Sequence, residues 1–88
     1  MSKKKENFPC LFDEFEPGDR VKRIYNDKKE KFEYKGIVLS IEDNFIEIYW
    51  DTMNGKYRPE DMQIAFSNCS IDEIFKGSKF YTPIEKET

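Results

Sequence analysis

No histidine occurs anywhere in these 88 residues, and that absence removes most hydrolytic chemistry. Without an imidazole, neither a Ser-His-Asp nor a Cys-His arrangement can be assembled, and a zinc site lacks its usual nitrogen ligands. Cysteine is almost as scarce. Cys10 and Cys69 stand far apart with no C-x-x-C partner, so neither a metal knuckle nor a paired redox motif is in view. Free thiols in a reducing cytoplasm are expected, with Cys69 a small buried apolar residue. The glycines, at 18, 36, 55 and 77, are isolated, which excludes a phosphate-cradling loop. No apolar run approaches the length of a membrane span. The basic start at Met1–Lys5 leads into Glu6 and Asn7 instead of an apolar stretch, so no secretory signal is expected. Carboxylates are plentiful, yet a pair such as Glu47 and Asp51 reads as a solvated face in a chain too short to build a pocket around it. The expectation is a cytoplasmic, non-enzymatic protein with no cofactor, no metal and no membrane partner.

Aromatic residues are what the chain has in abundance. Eight Phe, five Tyr and one Trp make 16% of the sequence. They set it apart from a disordered polyelectrolyte, despite a charged fraction of 38%. Large rings can seal a core that few aliphatics would fill, and a chain of this length makes one small domain. The net charge of −3 hides an uneven distribution. Between 20 and 35, Arg20, Lys22, Arg23, Lys28, Lys29, Lys31 and Lys35 outnumber Asp27, Glu30 and Glu33. Between 42 and 61, Glu42, Asp43, Glu47, Asp51, Glu60 and Asp61 outnumber Lys56 and Arg58. Lysine far exceeds arginine, which weakens any case for base-specific reading of nucleic acid.

Hydrophobic periodicity organises the chain around Phe32–Tyr57. Two runs rich in β-branched and aromatic residues, Phe32–Ile41 and Phe45–Asp51, flank Glu42-Asp43-Asn44 and predict a β-hairpin. In the second run Ile46, Ile48 and Trp50 alternate with Glu47, Tyr49 and Asp51, so one face is apolar and Trp50 belongs to the core. Asn54-Gly55 predicts a tight turn into a short strand at Lys56–Arg58. Arg20–Tyr25 forms the first strand, after a turn at Pro17-Gly18-Asp19 and before a polar loop at Asn26–Lys31. The spacing of Val21 to Ile24, and of Val38 to Ile41, violates strict alternation and predicts a bulge in each strand. A 3₁₀ turn is expected near Pro59, followed by a fifth strand at Met62–Phe66. Ser70, Glu73 and Gly77 then mark a short helix with a capping box.

The predicted fold is mainly β: a five-stranded, strongly bent barrel over 17–66. A flexible tail at 1–7 and an apolar flank at 8–16 (Phe8, Leu11, Phe12, Phe15) precede it. A helix and docking segment at 67–84 and a tail at 85–88 follow. The line from Gly18-Asp19-Arg20-Val21 through Gly36-Ile37-Val38 and Ile46–Asp51 to Tyr57-Arg58-Pro59-Glu60-Asp61-Met62 resembles the SH3-like small barrels, among them the Tudor, KOW and Mib/Herc2-type domains. That resemblance implies a binding module for protein tails, for nucleic acid, or for transcription and repair machinery.

Two sites follow. Phe45, Glu47, Tyr49, Asp51 and Tyr57 are candidates for a protein-binding surface, in which rings near acidic groups are able to hold a cation. The competing reading has the terminal segments packing over such rings. The alternative site is a nucleic-acid strip of Arg20, Lys22, Arg23, Tyr25, Lys28, Lys29, Lys31, Tyr34 and Lys35, weak and salt-dependent. A third possibility keeps the protein partner but has the acidic strip and the apolar flanks block a basic surface on a host or partner enzyme, as small inhibitors do.

Overall fold

The computed structural model describes residues 14–63 and 65–87; the expected tail at 1–7 and the flank residues Phe8 to Phe12, with Cys10, lie outside them. The elements are β1 (Arg20–Asn26), β2 (Lys31–Ile41), β3 (Phe45–Met53), β4 (Lys56–Tyr57), β5 (Phe66–Ser70), the helix α1 (Ile71–Phe75) and β6 (Glu85–Lys86). The strands form one antiparallel sheet in the order β4-β3-β2-β1-β6, with β5 on the same edge of β3 as β4. The architecture is thus a mainly β, open sheet of six strands.

The central hairpin forms as its periodicity requires. Ile46, Ile48, Trp50 and Thr52 of β3 are buried, while Phe45, Glu47, Tyr49 and Asp51 between them are half-exposed. Asn54 and Gly55 both take positive φ, at 52° and 85°, which is what a two-residue hairpin matched to the strand twist demands. The Asn54 side-chain oxygen accepts the Glu33 N–H at 2.8 Å and ties that turn to β2. Val21, Val38, Ile46, Ile48, Ile74 and Cys69 are essentially sealed, and Phe15, Met62 and Ile84 close the core from the flanks. Gly36 is the close-approach point. A Cβ there would stand 2.5 Å from the Tyr49 carbonyl and 2.9 Å from the Trp50 ring, so only glycine lets the indole lie across β2.

Four expectations are corrected. First, β1 carries no bulge: its register runs unbroken from Arg20↔Ile37 to Asn26↔Lys31. Val21, Arg23 and Tyr25 therefore share one face and Ile24 lies on the other. The bulge expected in β2 is present at Val38/Ser40, where Leu39 is the extra residue and is exposed, and a second shift at Lys35/Gly36 puts an extra residue, Asp51, in β3. Second, β1 and β2 extend into the expected Asn26–Lys31 loop, leaving a turn over 27–30 in which the Asp27 N–H donates to the Glu30 carbonyl at 2.8 Å.

Third, the strand expected at Met62–Phe66 begins only at Phe66. Met62 drops into the core after a turn closed by its N–H to the Pro59 carbonyl, at 3.0 Å. The polar Phe66–Ser70 stretch then runs along β3, from Tyr49↔Phe66 to Phe45↔Ser70. An edge strand with one wet face accepts Ser and Asn, since strand preference reflects packing more than identity. Fourth, residues 85–87 of the tail expected at 85–88 are paired. Glu85 and Lys86 face Lys22 and Val21, Tyr81 bridges to Tyr25, and the Glu87 N–H reaches the Arg20 carbonyl at 2.8 Å. The free edge of β1 is covered along its length, as exposed sheet edges generally must be.

α1 has both bonds of its capping box, Glu73 N–H to Ser70 Oγ at 3.2 Å and Ser70 N–H to Glu73 Oε1 at 3.0 Å. It buries Ile74 and sets Phe75 against Phe15.

Candidate functional site

The sheet presents two chemically different faces. On the outer face, Phe45, Glu47, Tyr49 and Asp51 line up because alternate positions of β3 point the same way. Tyr49 packs on Phe66 with ring centroids 5.0 Å apart, and the Arg58 guanidinium sits 5.7 Å from the Tyr49 ring. Phe66 is 60% exposed, Tyr57 79% and Leu39 41%. Large apolar groups held in water in this way mark contact surfaces.

The cation cage weighed against terminal-segment packing for Phe45, Tyr49 and Tyr57 is not assembled. The ring partner of Tyr49 is Phe66, and among the described residues neither Phe45 nor Tyr57 stacks on another ring. Asp51 is committed as well: its carboxylate takes a bidentate pair of hydrogen bonds from Arg20, at 2.8 and 2.9 Å, and a third from Thr52 Oγ1 at 2.9 Å. The Arg20 hydrogen bonds hold the Asp51 carboxyl below the ordinary carboxylate range and raise the Arg20 value in return. Glu47 remains available, with only Ser40 Oγ nearby at 3.4 Å.

The nucleic-acid strip is broken up by the fold. Lys28, Lys29 and Lys31 are exposed at the β1–β2 tip. Arg20 belongs to Asp51, and Lys35 is paired with Glu87 at 2.8 Å. Lys22 lies opposite Glu85. Arg23, Tyr25 and Tyr34 sit on the other face. There Tyr25 packs against Phe32, Phe80 and Tyr81, so for this ring the terminal segment is indeed the cover.

That inner face holds the one arrangement that sequence reasoning did not anticipate. A cavity of about 250 Å³ is lined by Arg23 of β1, Tyr34 of β2, Trp50 of β3, Asp61 and Met62 of the turn, Ser67 of β5, and Tyr81 of the C-terminal segment, with Gln63 at its edge. The Arg23 guanidinium lies 4.8 Å from the Trp50 ring and 4.0 Å from the Tyr81 ring. Tyr34 stands 6.4 Å from both of those rings. Stacking on two ring faces is worth roughly 1–2 kcal/mol when partly desolvated, and it fixes the orientation of the cation. Arg23 reaches only the Cys69 sulfur, at 3.9 Å, and among the described residues it meets no carboxylate within ion-pairing distance. The Arg23 Nε–H and the Trp50 Nε1–H are both buried without an acceptor. Burial raises the Tyr34 hydroxyl above its ordinary value, so this wall of the cavity stays neutral. Burial also pushes up the Cys69 thiol, against the opposing pull of Arg23, and keeps it protonated.

Among the described residues, no helix is long and apolar enough to cross a membrane, and no group of carboxylates and thiols is arranged to hold a metal ion. No protein-family model, curated protein or solved structure matches the chain.

Proposed function

We propose that this protein is a non-enzymatic interaction module, an open relative of the SH3-like small barrels, whose outer β3 face docks onto a protein partner. The observation that carries this reading is the exposed Phe66 ring packed on Tyr49, on the strand face that also carries the half-exposed carboxylate of Glu47. Exposed aromatic residues are among the groups that supply most of the energy of protein interfaces. The acidic turn carrying Glu42 and Asp43, next to Phe45 at the start of β3, is exposed, so the complementary surface is an apolar patch with a basic rim. A partner in transcription, repair or host-regulatory machinery, held by binding or by blockade, fits that description.

Nucleic-acid contact is the second reading, and it rests on the three exposed lysines of the β1–β2 tip. It draws less support. Arg20 and Lys35 are already neutralised, and the tyrosines that would stack bases face the opposite side of the sheet. Fluorescence anisotropy of labelled single- and double-stranded DNA and RNA, at low and physiological salt, separates the two readings. No binding at physiological salt is the expected result. Binding that weakens steeply with salt and vanishes when Lys28, Lys29 and Lys31 are changed to Ala would replace the protein reading.

A further inference from the structure

On the opposite face from that surface, we propose that the cavity of Arg23, Tyr34, Trp50, Asp61 and Tyr81 is a binding site for an α-carboxylate carrying an adjacent N–H and an apolar side chain. This is the chemistry shared by a free amino acid and by the last residue of a peptide. Three observations carry it.

The Arg23 cation is half-buried and pinned between two rings, yet among the described residues no anion answers it. A guanidinium held in one plane presents a fork that matches a carboxylate, and the ordering is already done before the ligand arrives. Trp50, only 3% exposed, lines the same space with an N–H that meets no acceptor, and the Arg23 Nε–H is orphaned beside it. Buried donors without partners are rare, and they gain most from an oxygen brought in by a ligand. Asp61 lines the cavity without pairing to Arg23, so the space offers a donor pole and an acceptor pole at once. A bare anion would leave the Asp61 carboxylate facing it; a ligand with an N–H beside its carboxylate satisfies both. The remaining walls, Tyr34, Tyr81 and Met62, suit an apolar side chain, and about 250 Å³ accommodates one residue and not a folded segment.

The chain has a single tryptophan, and it lines this cavity, so indole fluorescence reports occupancy directly. The full-length protein is titrated with phenylalanine, N-acetylphenylalanine, N-acetylphenylalanine amide and phenyl phosphate, together with Gly-Gly-Phe as acid and as amide. The expected result is a saturable change with the acids and binding at least about tenfold weaker for the matching amides, since the charge-assisted fork is lost. Preference for phenylalanine over its N-acetyl form assigns a free amino acid; equal or tighter binding of the tripeptide acid assigns a chain terminus. Arg23→Gln is expected to bring the acids down to the level of the amides, and Asp61→Asn to narrow the preference for the free amine. Amides that bind as well as acids, phenyl phosphate that outcompetes both, or no saturable change with any acid would overturn the proposal. The acid-to-amide comparison needs only the wild-type protein, so a variant that fails to fold leaves the test intact.

Discussion

The two faces of β3 differ in how they are made. The outer one is local: Phe45, Glu47, Tyr49 and Asp51 come from a single strand at a spacing of two, and only Phe66 is added from β5. The inner one is assembled: Arg23, Tyr34, Trp50, Asp61 and Tyr81 come from five separate stretches that meet only when the sheet is complete. Residues on the outer face can therefore change without disturbing the fold. Residues on the inner face carry fold and site together, and a substitution there moves both.

The largest effect is expected from Trp50→Ala. The indole is buried against Tyr34 and Arg23, and its removal leaves a cavity costing about 3–5 kcal/mol, most of the stability margin of so small a domain. Urea unfolding followed by circular dichroism checks this; a midpoint near wild type would mean that Trp50 is not the keystone of the inner face.

Gly36→Ala comes next, at about 1–3 kcal/mol, because the new methyl group overlaps the Tyr49 carbonyl and the Trp50 ring. The same unfolding experiment measures it. An unchanged midpoint would show that β2 and β3 can part at that point.

Breaking the Arg20–Asp51 pair is a smaller matter, about 1 kcal/mol or less, since Arg20 is about one-third exposed. The sign with pH follows from the lowered Asp51 value. The pair contributes fully above the ordinary carboxylate value of 3.8, and the contribution is lost as pH falls below that through the depressed folded value. Asp51→Asn should accordingly flatten the acid limb of a stability–pH profile while changing little else. A limb as steep as wild type would assign it to other carboxylates, such as Glu87 beside Lys35.

The smallest effect belongs to Lys28, Lys29 and Lys31. Changed together to Ala, they should leave the unfolding free energy within about 0.5 kcal/mol of wild type, being exposed at a turn. Unfolding of that variant would show the β1–β2 tip to be part of the fold and not a free surface.

What could be read from the sequence follows the same division. The alternation in Phe45–Asp51, the Asn54-Gly55 turn and the Ser70–Glu73 cap each depend on residues within a few positions of one another, and each stands where its pattern put it. Apolar spacing is misleading in β1, where only a bulge would bring Val21 and Ile24 to one side. Arg23 and Tyr25 occupy the inner face instead, and Ile24 sits where its N–H meets Thr82 Oγ1. An arginine counted as basic surface is in fact a stacked cation. Nothing near it in sequence signals this, because one of its two ring partners, Tyr81, arrives from the far end of the chain. Phe66 closes the strand expected at Met62–Phe66, but the observed strand starts there and turns its ring outward onto Tyr49. The one available hint was the surplus of aromatics over what a single small core can hold.

The most direct test of the outer-face account is site-specific photocrosslinking in the cells that express this protein. A photoreactive phenylalanine analogue is placed at Phe66 in one version and at Lys29 in another. The account predicts a discrete protein adduct from position 66 that survives nuclease treatment and is lost when Tyr49 is changed to Ala. An adduct from position 29 alone, removed by nuclease, would contradict it and move the binding surface to the lysine-bearing tip.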